Sequence, residues 1–416
     1  MNTPPLQPFA TTPSQEPPSK KLRARKLRAR KLRVLSIFGT RPEAVKMAPV
    51  VKALGQEPGV EAQVCVTAQH RQMLDQVLDL FQIRPDVDLD LMRPDQSLAE
   101  LTAAVFTHLD PVLEKLKPDW VLVQGDTTTV MAAALLAFYH HIAVGHVEAG
   151  LRTYDKYQPF PEEINRRVAG VVADLHFAPT EWSRQNLLRE GVPPDQVIVT
   201  GNPVIDALHS IARLPSDAYT RGLLERIGLH HDDNGAGAPR LVLVTAHRRE
   251  NFGRPLEDIC SALRRLAETY GEAVRLVYPV HLNPNVQEPV YRLLGQVSNI
   301  TLLDPLDYLP LVQLMSRASL VLTDSGGLQE EAPGLGVPVL VMRAVTERPE
   351  GIQAGTVKLV GTDPQRIFAE ARRLLDDPAA HAKMAKAVNP YGDGHAAGRI
   401  VGAILERSRT AQGHPQ

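Results

Sequence analysis

The stretch "SLVLTDSGGLQEEAPGLGVPVLVMR", residues 319–343, decides the fold. An apolar run stops at Asp324, twin glycines open a segment of helix formers, and a second apolar run begins after Pro338. Strand, helix, strand at this spacing is a crossover between parallel neighbours, because two parallel strands cannot be joined by a tight turn. The same order recurs along most of the chain. Strand-like runs fall at 33–39, 62–68, 119–125, 142–150, 175–180 and 197–201, with helical periods at 43–55, 97–116 and 127–139 among them. Turn formers at 231–239 interrupt the pattern, which restarts with apolar runs at 240–246, 274–280, 299–305, 319–325, 338–343 and 357–361. The reading is an α/β protein of two Rossmann-like, doubly wound domains facing a cleft, each parallel sheet covered on both faces. The domains run over 33–205 and 206–389, joined near 205–215; a last helical period at 395–408 either completes the second or crosses back to the first.

Length agrees with that division, since 416 residues exceed what one hydrophobic core usually organises. With 44% hydrophobic and 22% charged residues, and no apolar run near the ~18 residues of a membrane span, a soluble protein is expected. The N-terminus is basic but lacks the apolar segment of an export signal, so a cytoplasmic location is expected. Cys65 and Cys260 lack metal-ligand spacing and read as inert buried thiols. The net charge of −1 conceals an asymmetry: residues 20–33 hold nine Lys or Arg and no acid, so with Glu16 the first 33 residues carry about +8 and the rest about −9. A nucleic-acid or membrane-surface arm is one reading of that tail. The reading adopted is a solvated, disordered extension over 1–32, with neither nucleic acid nor membrane as partner.

Ligands of open parallel sheets lie beyond the carboxyl ends of the strands, where this chain places Arg41, Asp126, Glu148, His247, His281 and Ser325. If Gly326 and Gly327 open a helix, its free N–H groups and dipole favour an anion, and Ser325 adds a hydroxyl. Glu331 follows within two turns, at about 7.5 Å for a rise of ~1.5 Å per residue, the reach from a phosphate to the ribose of one nucleotide. The plainer alternative is a Gly-rich turn before an acidic helix start. Arg41, Lys46, Arg248 and Arg348 supply cations suited to a diphosphate. Asp126, Glu148 and Glu162 are the acids. Asp126 doubles as a helix N-cap, and Glu162 as an i,i+4 partner of Arg166. Glu148 ends an apolar run, so it needs a basic partner such as Arg152 or a catalytic task. No GxGxxG follows the first strand, no GxxxxGK[ST] exists and no HExxH joins the histidines, so neither a cofactor nor a metal is expected.

The segments "FGTRPEAVKMAPVV", "VTAQHRQMLDQVL", "GDTTT", "GHVEAGLRT", "PEEINRR", "TAHRREN", "YPVHLNPNV", "LTDSGGLQEEAPGLGVPVLVMR" and "TERPEG" together resemble the bacterial non-hydrolysing UDP-N-acetylglucosamine 2-epimerases, over about Arg33 to Leu405. The resemblance implies a GT-B glycosyltransferase-like fold, with the C-terminal helix, about 390–408, packed back on the N-terminal domain. It implies interconversion of UDP-GlcNAc and UDP-ManNAc by anti elimination of UDP and re-addition, without a nicotinamide, for surface polysaccharide, in a homodimer. Carried over by motif, Asp126, Glu148, Glu162 and His247 form the catalytic group with Lys46. Arg41, Lys46, Arg248, Ser325, Gly326, Gly327, Glu331 and Arg348 contact the UDP-sugar, with Glu331 on the ribose. Gln69, Gln72, Arg248 and His281 match an allosteric UDP-GlcNAc site of some relatives. Departures stand at Leu306 and Leu311, where close relatives carry Gln and Phe near the uracil, and at Asp95, where activator-dependent relatives carry Arg. A GT-B glycosyltransferase or a hydrolysing epimerase would use the same cleft.

Overall fold

The computed structural model describes residues 30–67, 71–93, 95–229 and 239–413, with the backbone alone at 71, 72 and 411–413. The expected disordered tail upstream of residue 30 and most of the turn-forming stretch at 231–239 lie outside the described residues.

Two parallel sheets organise the rest. The first comprises β1 (Leu32–Phe38), β2 (Val60–Val66), β3 (Val87–Asp88), β4 (Trp120–Gln124), β5 (Ala143–Val147), β6 (Leu175–Ala178) and β7 (Val197–Val199), in the order β3-β2-β1-β4-β5-β6-β7. The second comprises β8 (Arg240–Thr245), β9 (Val274–Pro279), β10 (Ile300–Leu303), β11 (Ala318–Thr323), β12 (Val339–Val341) and β13 (Val357–Leu359), in the order β10-β9-β8-β11-β12-β13. Each is a doubly wound, Rossmann-like sheet with helices between successive strands. Every apolar run read from the sequence is a strand. β3 was not anticipated: two residues at the sheet edge, paired with Cys65 and Val66, leave no apolar run to announce them.

Strand order reverses between β1 and β4 in one sheet and between β8 and β11 in the other, so each sheet has its crevice there. The loops at those crevices carry Arg41 and Asp126 on one side, and His247, Arg248 and Ser325 on the other. The helix Arg41–Gln56 starts after β1 because Thr40 and Glu43 form a capping box, with Pro42 in the first turn. Glu43 also accepts a 2.7 Å bond from Thr127 Oγ1, which fixes this helix start against the loop after β4.

The two halves share apolar packing. The connecting helix Pro203–Ala212 buries Val204, Ile205, Leu208 and Ile211 in one cluster with Val50 and Leu54 of the first helix and with Leu328 and Ala332 of the helix Gly326–Gly334. The last helix, Ala396–Gly413, adds Ile400, Val401 and Ile404 to that cluster, and its Ser408 Oγ accepts a 2.9 Å bond from Trp120 Nε1 of β4. At about 25 cal/mol per Å2 of apolar surface removed from water, such side chains stabilise the arrangement by roughly 1.5–3 kcal/mol each. Cys65 and Cys260 are buried free thiols.

Candidate active site

Lys46, Asp126, Glu148, Glu162 and Arg248 line one cavity of about 620 Å3 between the crevice loops, together with Gln124 and Asn165. Glu148 is its centre. It follows β5 with φ +61°, a left-handed conformation that costs a non-glycine residue on the order of 1–3 kcal/mol and that aims the carboxylate into the cavity. Lys46 Nζ donates to both carboxylate oxygens, at 2.7 and 2.6 Å. Asn202 Nδ2 donates at 3.1 Å, and Gln124 Nε2 also donates to it. Burial works against the anion, but Lys46 and these donors hold the Glu148 carboxyl below its ordinary range. The partner suggested by the sequence, Arg152, instead grips Glu190 at 2.7 and 2.8 Å. Four residues separate it from the strand end and its side chain turns to Glu190, whereas Lys46 reaches across from the helix Arg41–Gln56.

The plain readings of the other two acids are overturned as well. Thr127, not Asp126, caps the helix Thr128–Tyr139, its hydroxyl accepting from Val130 N–H. Asp126 is therefore free to accept a 2.6 Å bond from Arg166 Nη2. Burial still raises its pKa, Arg166 opposing and Glu148 adding to the rise. Arg166 does not pair with Glu162: the helix Glu162–Val172 turns it towards Asp126 and Glu163, the latter at 3.4 Å. Glu163 in turn accepts the backbone N–H groups of Thr153 and Tyr154. Glu162 keeps one buried carboxylate oxygen without a partner on the cavity wall.

Across the cleft stands the helix Gly326–Gly334. Ser325 occupies its N-cap without capping it by its own side chain, so the hydroxyl and the first-turn N–H groups remain available. Arg348 lies against this helix start: a Cβ built on Gly326 would sit 2.7 Å from Arg348 Nη1, so only glycine lets the guanidinium approach. A cation over a helix N-terminus opposes the dipole unless anions share the place. Glu330 and Glu347 supply two, Glu330 accepting from Arg348 Nε and Glu347 at 3.0 Å from Nη1. Of the two carboxylates that follow the twin glycines, Glu330 is thus the counter-ion of Arg348. The other, Glu331, is buried with one oxygen unpartnered, and burial together with Glu330 pushes its carboxyl up to about 7.

Asp324 anchors the loop after β8. It accepts the backbone N–H groups of His247 and Arg248, both at 2.8 Å, and the Asn251 amide. His247 stacks on His281 at 5.4 Å between ring centroids. Burial lowers the His247 pKa, helped by Arg248 and His281 and opposed by Asp324, so the ring is neutral near pH 7. Arg41 faces a second cavity of about 350 Å3, with Tyr308, Leu309 and Pro310. Gln69, and the side chain of Gln72, lie outside the described residues. Leu306 is buried and Leu311 packs beside the shared apolar cluster. Asp95 sits in a turn with φ +57°. Sequence reasoning missed Gln124, Arg166, Asn202, Asp324 and Glu330 as members of the site; the Asn202–Pro203 pair after β7 was the clearest available sign, as a helix start. Among the described residues no group of three His, Cys, Asp or Glu is arranged to hold a metal ion, and no helix is long and apolar enough to cross a membrane.

Residues 52–405 match the family model described as UDP-N-acetylglucosamine 2-epimerase. The chain is 57% identical over 378 residues to a UDP-N-acetylglucosamine 2-epimerase of Yersinia pestis, covering 91% of this chain and 99% of that one. It is 57% identical over 373 residues to that of Escherichia coli K12, covering 89% and 98%. Among solved structures, the UDP-GlcNAc 2-epimerase of Neisseria meningitidis bound to UDP-GlcNAc is similar with a TM-score of 0.82 and 50% identity, over 90% of this chain and 100% of that one. A glycosyltransferase at 13% identity and TM-score 0.59 shares the fold alone, which is GT-B-like. With that identity over nearly the whole of its relatives' length, the chain belongs to the UDP-N-acetylglucosamine 2-epimerase family.

Proposed function

We propose that this protein interconverts UDP-N-acetylglucosamine and UDP-N-acetylmannosamine by anti elimination of UDP to a 2-acetamidoglucal, followed by re-addition of UDP to C1 with protonation of C2 on its opposite face, without hydrolysis. The observation that carries the reading is the pairing of two unlike halves in one cleft: three acids around Lys46 on one side, and Arg348 over an uncapped helix N-terminus on the other.

The C2 hydrogen of the sugar has no adjacent carbonyl and is barely acidic, until lengthening of the C1–O bond puts cation character on C1. Two demands follow. The departing diphosphate needs fixed positive charge, for which Arg348, Arg248, Lys46 and the N–H groups of Gly326 and Gly327 are suited. The C2 proton needs a base, for which Asp126, Glu148 and Glu162 are the candidates; such assistance contributes typically ~10²- to 10⁴-fold. Held anionic by Lys46, Glu148 also stabilises positive charge on the sugar. Re-addition puts a proton on the opposite face of C2, so a second protonated group is required there. Asp126, whose pKa burial raises against the opposing charge of Arg166, is the candidate for that group. Neutral His247 is suited to donate to a leaving phosphate oxygen. Arg41 beside Tyr308 forms the base end of the nucleotide site, and Glu331 takes the ribose diol. Closing the cleft excludes water that would otherwise trap the glucal.

We further infer domains at 33–205 and 206–389, with the last helix returning to the first domain, in a cytoplasmic homodimer that supplies ManNAc-type precursors for surface polysaccharide. Incubating purified protein with UDP-GlcNAc alone separates the rival readings. An epimerase yields UDP-ManNAc reversibly, a hydrolysing enzyme releases ManNAc and UDP, and a glycosyltransferase leaves the substrate unchanged without an acceptor. Either of the last two results would overturn the reading.

A further inference from the structure

Asn202 stands where the chain leaves the first sheet, at the N-cap of the connecting helix Pro203–Ala212. It is 1% exposed and every polar atom of its side chain is engaged. The Oδ1 atom accepts the Val204 N–H at 3.1 Å, which fixes the orientation of the amide. Its nitrogen then donates one hydrogen to Glu148 Oε1 at 3.1 Å and one to Glu330 Oε2 at 2.7 Å. The reversed amide would present oxygen to two carboxylates and turn two attractions into repulsions, so the assignment is fixed by its surroundings. Glu148 belongs to the sugar side, paired with Lys46; Glu330 belongs to the nucleotide side, paired with Arg348.

The backbone here is held equally closely. Asn202 N–H donates at 2.7 Å to Tyr391 O, where the chain returns towards the first sheet. Gly201 and Gly392, with φ +84° and +133°, touch backbone to backbone: a Cβ on Gly201 would meet Gly392 Cα at 3.2 Å. The outgoing and returning connections thus cross at one point, and Asn202 is the side chain that leaves that crossing for the cleft.

We propose that Asn202 is a positioning residue whose amide ties the Glu148 carboxylate to the Glu330 carboxylate, so that the ion pair gripping the nucleotide and the ion pair facing the sugar hold each other in register. A diphosphate arriving at Arg348 draws on the guanidinium that Glu330 shares, and the amide passes that change to Glu148 across the crossing point of the two halves. No other side chain among the described residues hydrogen-bonds to both carboxylates.

The inference rests on the epimerase reading for its kinetic readout, so its first test uses binding alone. UDP is titrated by calorimetry into wild type, Asn202→Ala, Glu148→Gln and the double variant. Register through Asn202 makes the two effects on Kd non-additive by fivefold or more; additivity within twofold overturns the proposal. Should Asn202→Ala not fold, Asn202→Asp, which keeps the capping acceptor, replaces it in the cycle. The second test is kinetic. Asn202→Asp removes both donors and adds an anion facing Glu148, whose charged or titratable neighbours are Lys46, Arg348, Asp126 and His146, with Glu330 on the other hydrogen of the same amide. The expected result is a kcat loss of about 100-fold with KM within fivefold, and an acid limb of the kcat profile displaced to higher pH. A kcat loss with the limb unmoved would make Asn202 merely structural and overturn the proposal. A wild type that fails to epimerise UDP-GlcNAc sinks the functional reading, while the binding cycle still decides the role of Asn202.

Discussion

Replacing Lys46 by Met removes the cation that compensates Glu148 and keeps most of the aliphatic volume. The Glu148 side chain is 4% exposed and that of Lys46 is 18%, so the pair is buried and solvent screening discounts it little. Breaking a buried ion pair from one side costs about 3–5 kcal/mol. Gln124 and Asn202 still donate to the stranded carboxylate, which places the expected cost near the lower end, about 3 kcal/mol. Glu148→Gln in the Lys46→Met background removes the stranded charge and recovers about 2 kcal/mol or more. Urea unfolding at pH 8, followed by circular dichroism, measures wild type, Lys46→Met, Glu148→Gln and the double variant. The pH dependence carries an independent sign. In wild type the folded pKa of Glu148 lies below the ordinary 4.5, so its contribution is present above that value and lost as pH falls through the depressed folded pKa. Without Lys46, burial dominates and the folded pKa rises above 4.5, so Lys46→Met regains stability relative to wild type as pH falls from 8 towards 5. A cost below about 1 kcal/mol, or a double variant no more stable than Lys46→Met, would refute a buried, mutually dependent pair.

Arg166→Met takes the 2.6 Å partner from Asp126, whose pKa burial already raises; a lower kcat with the acid limb of its pH profile at higher pH is expected, measured by steady-state kinetics. Gly326→Ala places a methyl group 2.7 Å from Arg348 Nη1 and should weaken UDP binding by tenfold or more in calorimetry, with an unchanged circular dichroism spectrum. Burial and Glu330 push the Glu331 carboxyl up to about 7; in the proposed role on the ribose its anion is the accepting form, so UDP affinity should fall as pH drops from 8 to 6 and the Glu331→Gln variant should lose that dependence. Deleting residues 1–29 should leave kcat and KM unchanged in the same assay, since the candidate site residues all lie downstream of them.

Much of this architecture was legible because parallel strands buried on both faces are written as uninterrupted apolar runs, as in 240–246 and 319–325. The short edge strand β3 has no such run and was invisible. Site membership was legible for residues at strand ends, where the chain direction alone delivers Asp126, Glu148 and Ser325 to a crevice. Pairing was not. Lys46 reaches Glu148 across 102 residues and Asn202 reaches Glu330 across 128, and nothing local in the sequence distinguishes those partners from Arg152 next in the same loop. The i,i+4 rule misassigned Arg166 because other carboxylates take its guanidinium, Asp126 on another element at 2.6 Å and Glu163 at 3.4 Å.

The most direct measurement is the epimerisation of UDP-GlcNAc in D2O, followed by proton NMR and mass spectrometry. Elimination and re-addition predict that UDP-ManNAc appears without any acceptor and that one solvent deuterium enters at C2 of the product, then of the recovered substrate. Product formed with the original C2 hydrogen retained would contradict proton removal by the acids around Lys46.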